Sequence, residues 1–338
     1  EPYGLMSDLP YELLQPITSD IAAISAGIDA LPPALGGFDI PEAGYEALYQ
    51  WATGAGIPAF GYPAFAANGL SGAGFRKFAL PIIVQITDAR SHSTLDYLEF
   101  ASDAHSRDQT VAALNAVGAK VIGIDSLENA GTADDPRGEL EDLAHSTNTV
   151  IPPDANGECL TGVGGTANQP QDLGAGLVCP LVFDVQPDGS GLGDLIVNAI
   201  VQLAALGELD ISTGVVGFNM EITGEALPVG FTSADFINSV LPVAPAPAGS
   251  TIDGEIFRNV TPGSVVTFEV TAQNDFLPGL QDRDRLLQID INVLGDGVTL
   301  LDVKRVFVIV PRGVGCTAST QCGPAQACID SKCERIIQ

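Results

Sequence analysis

The sequence predicts a doubly wound α/β domain followed by an antiparallel β-sandwich and a small disulfide-rich tail. Three observations predict this. Apolar strand-like runs alternate with helical patterns as far as residue 206. Beyond it, short strand-like runs follow one another with turn residues between them. Last, Cys316, Cys322, Cys328 and Cys333 crowd a terminal segment too short to hold a core of its own. The expected boundaries are 1–206 for the α/β domain, with an insertion at 152–180, then 207–311 for the sandwich and 312–338 for the tail.

The elements follow in order. Asp20 precedes apolar residues at Ile21, Ile24, Ile28 and Leu31, the spacing of a capped amphipathic helix that Pro32-Pro33 ends. A second helix is expected to run to Thr53 with Pro41 in its first turn. Residues 54–74, rich in Gly, Ala and Pro, read as a long loop. Phe78–Ile86 is almost wholly apolar and reads as a buried parallel strand, with Pro81 as a blemish because it lacks a ladder donor. Helices are expected at Arg107–Val117, Arg137–Ser146 and Gly191–Leu206, and strands at Lys120–Asp125 and Leu181–Val185. Residues 152–180 read as a Gly-rich insertion closed by Cys159 and Cys179. In the second half Val215–Ile222, Val265–Ala272, Leu286–Leu294 and Val306–Val310 read as strands, with a hairpin turn at Gly295-Asp296-Gly297.

The 338 residues carry 42 acidic and 14 basic side chains, a net charge of −28. Such a surface repels phosphate backbones and anionic lipid, so nucleic acid and membrane surfaces are poor partners. It attracts divalent cations and keeps a secreted protein in solution. The longest apolar runs are shorter than the roughly 20 residues a bilayer span needs. Six cysteines, four of them in one dense group, imply an oxidising compartment and hence a secreted or cell-surface location. The terminal cysteines lack both the close pairs of a zinc site and a nearby His. Disulfides are therefore expected, with the pairing open among three possibilities. No Ser, His and Asp grouping resembles a nucleophile elbow, and His92, His105 and His145 lack zinc-protease spacing and read as surface or loop residues. No catalytic constellation is found, so the chain is not read as an enzyme.

Two segments carry a resemblance. Gly37-Phe-Asp39-Ile-Pro41-Glu42-Ala-Gly44-Tyr-Glu-Ala-Leu48 resembles the Asx-x-Asp-x-Pro-Glu-Gly-Gly segment, with the apolar helix after it, of integrin β-subunit I-like domains in the von Willebrand factor A family. Ile86-Thr87-Asp88-Ala89, at the end of an apolar strand, resembles that family's Thr-Asp-Ala segment. The resemblance spans residues 1–206 and implies a metal-ion-dependent adhesion site for Mg²⁺ or Ca²⁺. A hard cation takes about six oxygen ligands, and an acidic residue of the protein partner would complete the shell. By resemblance Asp88 and Glu42 are ligands at the main site. Asp39, the Pro41 carbonyl and Glu42 frame an adjacent Ca²⁺ site, where Gly37 replaces the family's Asn. The family's Asp-x-Ser-x-Ser loop is not found. The resemblance therefore implies that the N-terminal fragment of the same precursor, or another chain, completes the sheet beside Phe78–Ile86.

Read without the resemblance, Asp39, Glu42 and Asp88 are ordinary helix or turn caps. The function expected is extracellular adhesion through a divalent metal. The alternative is a structural subunit of a surface filament or envelope assembly whose metal is lost or only structural.

Overall fold

The computed structural model describes residues 10–31, 40–58, 64–65, 72–92, 104–172, 174, 176–274, 277 and 283–312, and the backbone of 326–329 and 332–335. The protein is a mixed α/β chain in two compact units. One comprises Glu1–Asp210, Asn259–Ser264 and Gly295–Leu301; the other comprises Ile211–Arg258, Val265–Leu294 and Asp302–Gln338.

In the first unit α1 (Ile21–Asp29) starts on Asp20, whose Oδ1 accepts from the amides of Ala22 at 2.9 Å and Ala23 at 3.4 Å. The helix forms as its spacing predicts, yet it buries no residue, and Ile21, Ile24 and Ile28 stay exposed. α2 (Gly44–Thr53) begins later than expected. Pro41 stands ahead of it rather than in its first turn, and the cap position falls on Ala43, with no side-chain cap. Glu42 is therefore not the residue that caps this helix.

β1 (Ile82–Thr87) is shorter at its start than the expected Phe78–Ile86. Phe78 takes a left-handed backbone (φ 61°), incompatible with a strand, and Pro81 stands just outside, its carbonyl accepting from the Lys120 amide at 2.9 Å. α3 (Arg107–Ala116) follows a capping box of Ser106 and Gln109. β2 (Lys120–Asp125) and α4 (Arg137–Ser146) have the expected bounds. The stretch read as a Gly-rich insertion, 152–180, holds β4 (Gln171–Asp172) and β5 (Leu177–Pro180), which form an antiparallel sheet with β3 (Val150–Ile151) just before it, in the order β3-β5-β4. Cys159 and Cys179 are joined there by a disulfide, Cα–Cα 5.4 Å, with both residues buried. β6 (Val182–Asp184) and α5 (Leu192–Leu206) complete the series.

β1, β2 and β6 form a parallel sheet in the order β1-β2-β6. Ile82 to Thr87 pair with Lys120 to Asp125, and Gly123 to Asp125 with Val182 to Asp184. Successive side chains leave the sheet on opposite faces, and both faces are apolar. Ile83 and Val121 join Leu48 and Ala52 of α2, Leu114 of α3 and Leu143 of α4 in one cluster. Ile82, Val84 and Ile122 pack in another with Leu195, Ala199 and Leu203 of α5. Lys120, at the start of β2, is buried and is paired by its Nζ to Asp296 Oδ2 at 2.6 Å.

The second unit holds β8 (Ile237–Pro242), β9 (Thr251–Asp253), β11 (Phe268–Ala272) and most of β7 (Leu209–Gly217), β10 (Ile256–Val260), β12 (Arg285–Gly295) and β13 (Thr299–Val310), the ends of these last four being counted in the first unit. They form a five-stranded sheet, β13-β12-β7-β10-β9, and an antiparallel pair, β11-β8. Its core holds Leu227, Phe236, Leu277, Leu287, Ile289 and Val310. β7 replaces the expected Val215–Ile222: it starts six residues earlier and stops at Gly217, where any Cβ would run into the backbone of Ala234. Glu221, buried just beyond it, lies between Arg283 Nη1 at 2.7 Å and Arg285 Nη1 at 2.6 Å. The turn joining β12 and β13 places Asp296 (φ 49°) and Gly297 (φ 75°) in the left-handed region that Asp-Gly favours. β14 (Gln326–Ile329) and β15 (Lys332–Arg335) pair so that Cys328 stands opposite Cys333. Cys316 and Cys322 lie outside the described residues.

Candidate metal-binding groove

The Pro41-Glu42 segment is fixed to the chain that leaves β1. The Glu42 amide donates to the Arg90 carbonyl at 2.9 Å, and the His92 amide donates to the Glu42 carbonyl at 2.8 Å. Glu42 and Ser91 thereby form a parallel bridge. α2 follows at once, and its first residue is pressed against β1: a Cβ on Gly44 would collide with Ser91 Oγ and approach Gln85 Nε2 to 2.9 Å. Only glycine permits that approach.

Between α2 and β1 runs a groove of about 650 Å³. Ala47, Leu48 and Trp51 line it from α2, Ile82 to Thr87 from β1, and Glu42 and Asp88 stand among its lining residues. Two of the carboxylates named by the sequence are thus brought to one groove from segments about 45 residues apart in the chain. Asp39, like Gly37, lies outside the described residues, so the adjacent site is not described. Asp88 is held through its carbonyl, which accepts from Asn129 Nδ2 at 2.9 Å, and Thr87 Oγ1 donates to the Ala89 carbonyl at 2.8 Å.

Around this end Asp88 is joined by acidic residues that the motifs do not name. Asp88, Asp125 and Asp184 stand at the carboxyl ends of β1, β2 and β6, where open parallel sheets place their ligands. Asp125 is buried, and burial pushes its carboxyl up from the usual range, aided by Asp135 and Asp184; its Oδ1 accepts from the Leu127 amide at 2.8 Å. Asp184 is paired with Arg137. Glu139 accepts from the Ser91 amide at 2.8 Å and from the Ser91 hydroxyl. Burial raises the Glu139 carboxyl, with the Ser91 bonds acting against the rise. Burial, then Glu139 and Asp142, push the nearby Tyr45 phenol well above its ordinary value. A polar residue closing an apolar strand, as Asp125 closes β2, is the sequence signal that marks these acidic residues.

No family model, curated protein or solved structure matches the chain. Function must therefore be read from the groove itself. Its donors are hard carboxylate oxygens, the kind that suit Mg²⁺ or Ca²⁺ and not a soft metal. Among the described residues no three His, Cys, Asp or Glu side chains converge into a cage. An ion here would take oxygens from water or a partner besides those of Glu42 and Asp88. Of the histidines read as surface or loop residues, His92 is buried, and His105 is bonded to the buried Glu46. Among the described residues no helix is long and apolar enough to cross a membrane.

Proposed function

We propose that this chain is an extracellular binding protein of the von Willebrand factor A type. It engages an acidic residue of a protein partner through a Mg²⁺ or Ca²⁺ ion at the Glu42 and Asp88 end of the groove. The observation that carries this reading is the meeting of Glu42 and Asp88 on one groove at the carboxyl end of a parallel sheet. The physical logic is an unfinished shell. Two carboxylates attract the ion without saturating about six coordination positions, so an incoming carboxylate adds both a bond and charge balance. The finer architecture belongs to the same proposal: a doubly wound first domain, a β-sandwich second and a disulfide-stapled tail, in a secreted protein.

A second reading, a subunit of a surface assembly, is favoured by one observation. The apolar stripe of α1 at Ile21, Ile24 and Ile28 is exposed, as are Val197 and Val201 on α5. Exposed apolar faces of this kind mark contact surfaces. On this reading the groove metal is structural or lost.

Terbium, a hard cation that replaces calcium, tests the first reading. Trp51 is the sole tryptophan and lines the groove, so it is the natural antenna. Excitation of Trp51 is expected to sensitise bound Tb³⁺, with Mg²⁺ or Ca²⁺ competing, and both Asp88→Asn and Glu42→Gln should abolish the signal. Equal emission from wild type and variants would sink the reading.

A further inference from the structure

A second groove, of about 560 Å³, lies within the first unit and shares no lining residue with the groove of Glu42 and Asp88. It opens beside the carboxyl end of β6, where open α/β sheets take up ligands. One wall is a face of α5. Asp194, Asn198 and Gln202 stand four residues apart on it, a row with about 6 Å between neighbours. Asp194 and Asn198 are exposed and Gln202 is half-buried. Phe183 and Val185 at the end of β6 are buried, and with Leu195 of α5 they supply an apolar floor. The other wall is the loop 160–165, which is fixed at its foot. Cys159 is bonded to Cys179 and exchanges backbone hydrogen bonds with Asn168 at 3.0 and 2.7 Å. The Thr161 carbonyl accepts from the Asp184 amide at 2.9 Å, and the Gly162 amide donates to the Thr166 carbonyl at 2.9 Å. The wall thus stands before any ligand arrives, which lowers the ordering cost of binding.

We infer that this groove binds a neutral oligosaccharide. The volume falls in the range of roughly 300–1,000 Å³ that small-molecule sites occupy. The chemistry of the occupant follows from the lining. Amide side chains both donate and accept, and so do the hydroxyls of a sugar, so Asn198 and Gln202 can each meet a hydroxyl pair. Their regular spacing suits a chain of hydroxyl-bearing rings rather than one small polar molecule. The apolar floor takes the C–H face of a ring, and a wholly apolar ligand would instead strip water from the polar row without replacing its hydrogen bonds. Charge excludes an anion. Among the described residues no Lys, Arg or His lines the groove, and Asp194 occupies the first turn of α5, where an anion would otherwise be favoured. Asp184, also in the lining, is already neutralised by Arg137. This inference needs no metal and goes beyond the ion site proposed above.

The probes are neutral tetrasaccharides of glucose, mannose, galactose and N-acetylglucosamine, titrated by calorimetry against the whole chain in EDTA. A sulfated tetrasaccharide and the cationic tetramer of glucosamine are the charge controls. Asn198→Ala and Gln202→Ala each remove one amide from the row, and alanine favours the helix, so α5 is kept. Unfolding midpoints check the fold of both variants. Asn156→Ala, at an exposed residue of the same unit outside the groove, is the control substitution. The expected result is saturable binding of at least one neutral probe, weakened about tenfold by each groove variant and unchanged by Asn156→Ala. The sulfated probe should not bind. Absence of binding by every neutral probe at about millimolar concentration would overturn the inference. So would binding of the cationic tetramer alone, which marks attraction to the acidic surface at large, or equal affinity in wild type and both groove variants. Because EDTA removes the ion, failure here leaves the terbium result untouched, and the reverse also holds.

Discussion

Glu46 is a carboxylate in α2 whose side chain is wholly buried. Gln50 Nε2 donates to it at 2.7 Å, the His105 amide at 2.8 Å and His105 Nδ1 at 2.9 Å, and Tyr49 stacks on the His105 ring with centroids 3.4 Å apart. A carboxylate only accepts, so Nδ1 of His105 carries a proton in this contact. Burial alone would push the Glu46 carboxyl up; the bonds from His105 and Gln50 outweigh it and hold the group below its ordinary 4.5. The sign of the linkage follows. A folded state that binds this proton less tightly than the unfolded chain gains stability above pH 4.5, and loses it as pH falls through the folded value. Asp125 and Glu139 are raised and act oppositely: their contribution is full at low pH and is lost as pH rises. Glu46→Gln is expected to cost about 2 kcal/mol at neutral pH, the scale of charge-assisted hydrogen bonds to a buried group. The gap from wild type should narrow as pH falls below the ordinary carboxylate range, read by urea unfolding at several pH values. A gap that stayed constant would mean that folding does not lower the Glu46 pKa.

At the scale of elements, the segment between β3 and β5 depends on its bridge. Cys159 and Cys179 are 20 residues apart and buried beside Leu181 and Phe183 in one cluster. Closing such a loop stabilises by about 3 kcal/mol, largely through the unfolded state. The double variant Cys159→Ser, Cys179→Ser is expected to lose about that much, read by denaturant unfolding followed through Trp51; an unchanged midpoint would contradict it. This bridge was legible in the sequence, as were β2 and α4, because their limits carry local signals: an apolar run between Gly118 and Asp125, and Pro136 followed by acidic residues. β7 was not. The apolar run Val215–Ile222 is cut at Gly217 by Ala234, a neighbour distant in sequence, and no local pattern encodes that contact. β9 is exposed throughout and lacks the alternation that reveals a strand. The same distinction holds at the groove. Glu42 and Asp88 were legible from short motifs, whereas the Ser91–Glu139 pair spans 48 residues and emerges only on folding. The His92 backbone joins the Glu42 bridge; His92 lies outside any helix or strand, as the surface-or-loop reading allowed, but is buried there.

At the scale of the whole molecule two electrostatic effects compete. Many of the described cations are already paired, among them Arg90 with Asp134, Arg107 with Asp142, Arg137 with Asp184, Arg258 with Asp253, and Arg305 with Asp290. Salt screens such pairs and would lower stability, but exposed pairs are worth only about 0–1 kcal/mol each. The remaining carboxylates, part of a net −28, repel one another over distances comparable with the Debye length of about 10 Å at 0.1 M salt. Self-repulsion of that size outweighs the few pairs, and salt relieves it. The melting temperature is therefore expected to rise by several degrees between about 0.02 and 0.5 M NaCl. A fall over that range would show that the ion pairs dominate instead. Against this background a bound divalent ion must be distinguished from general screening. At matched ionic strength, Mg²⁺ or Ca²⁺ should raise the melting temperature further in wild type, because an ion that binds only the native state adds stability by mass action. Asp88→Asn should keep the response to NaCl and lose only this increment. If the variant keeps both, divalent ions act on the charged surface at large, and the Glu42 and Asp88 end of the groove has no special affinity for them.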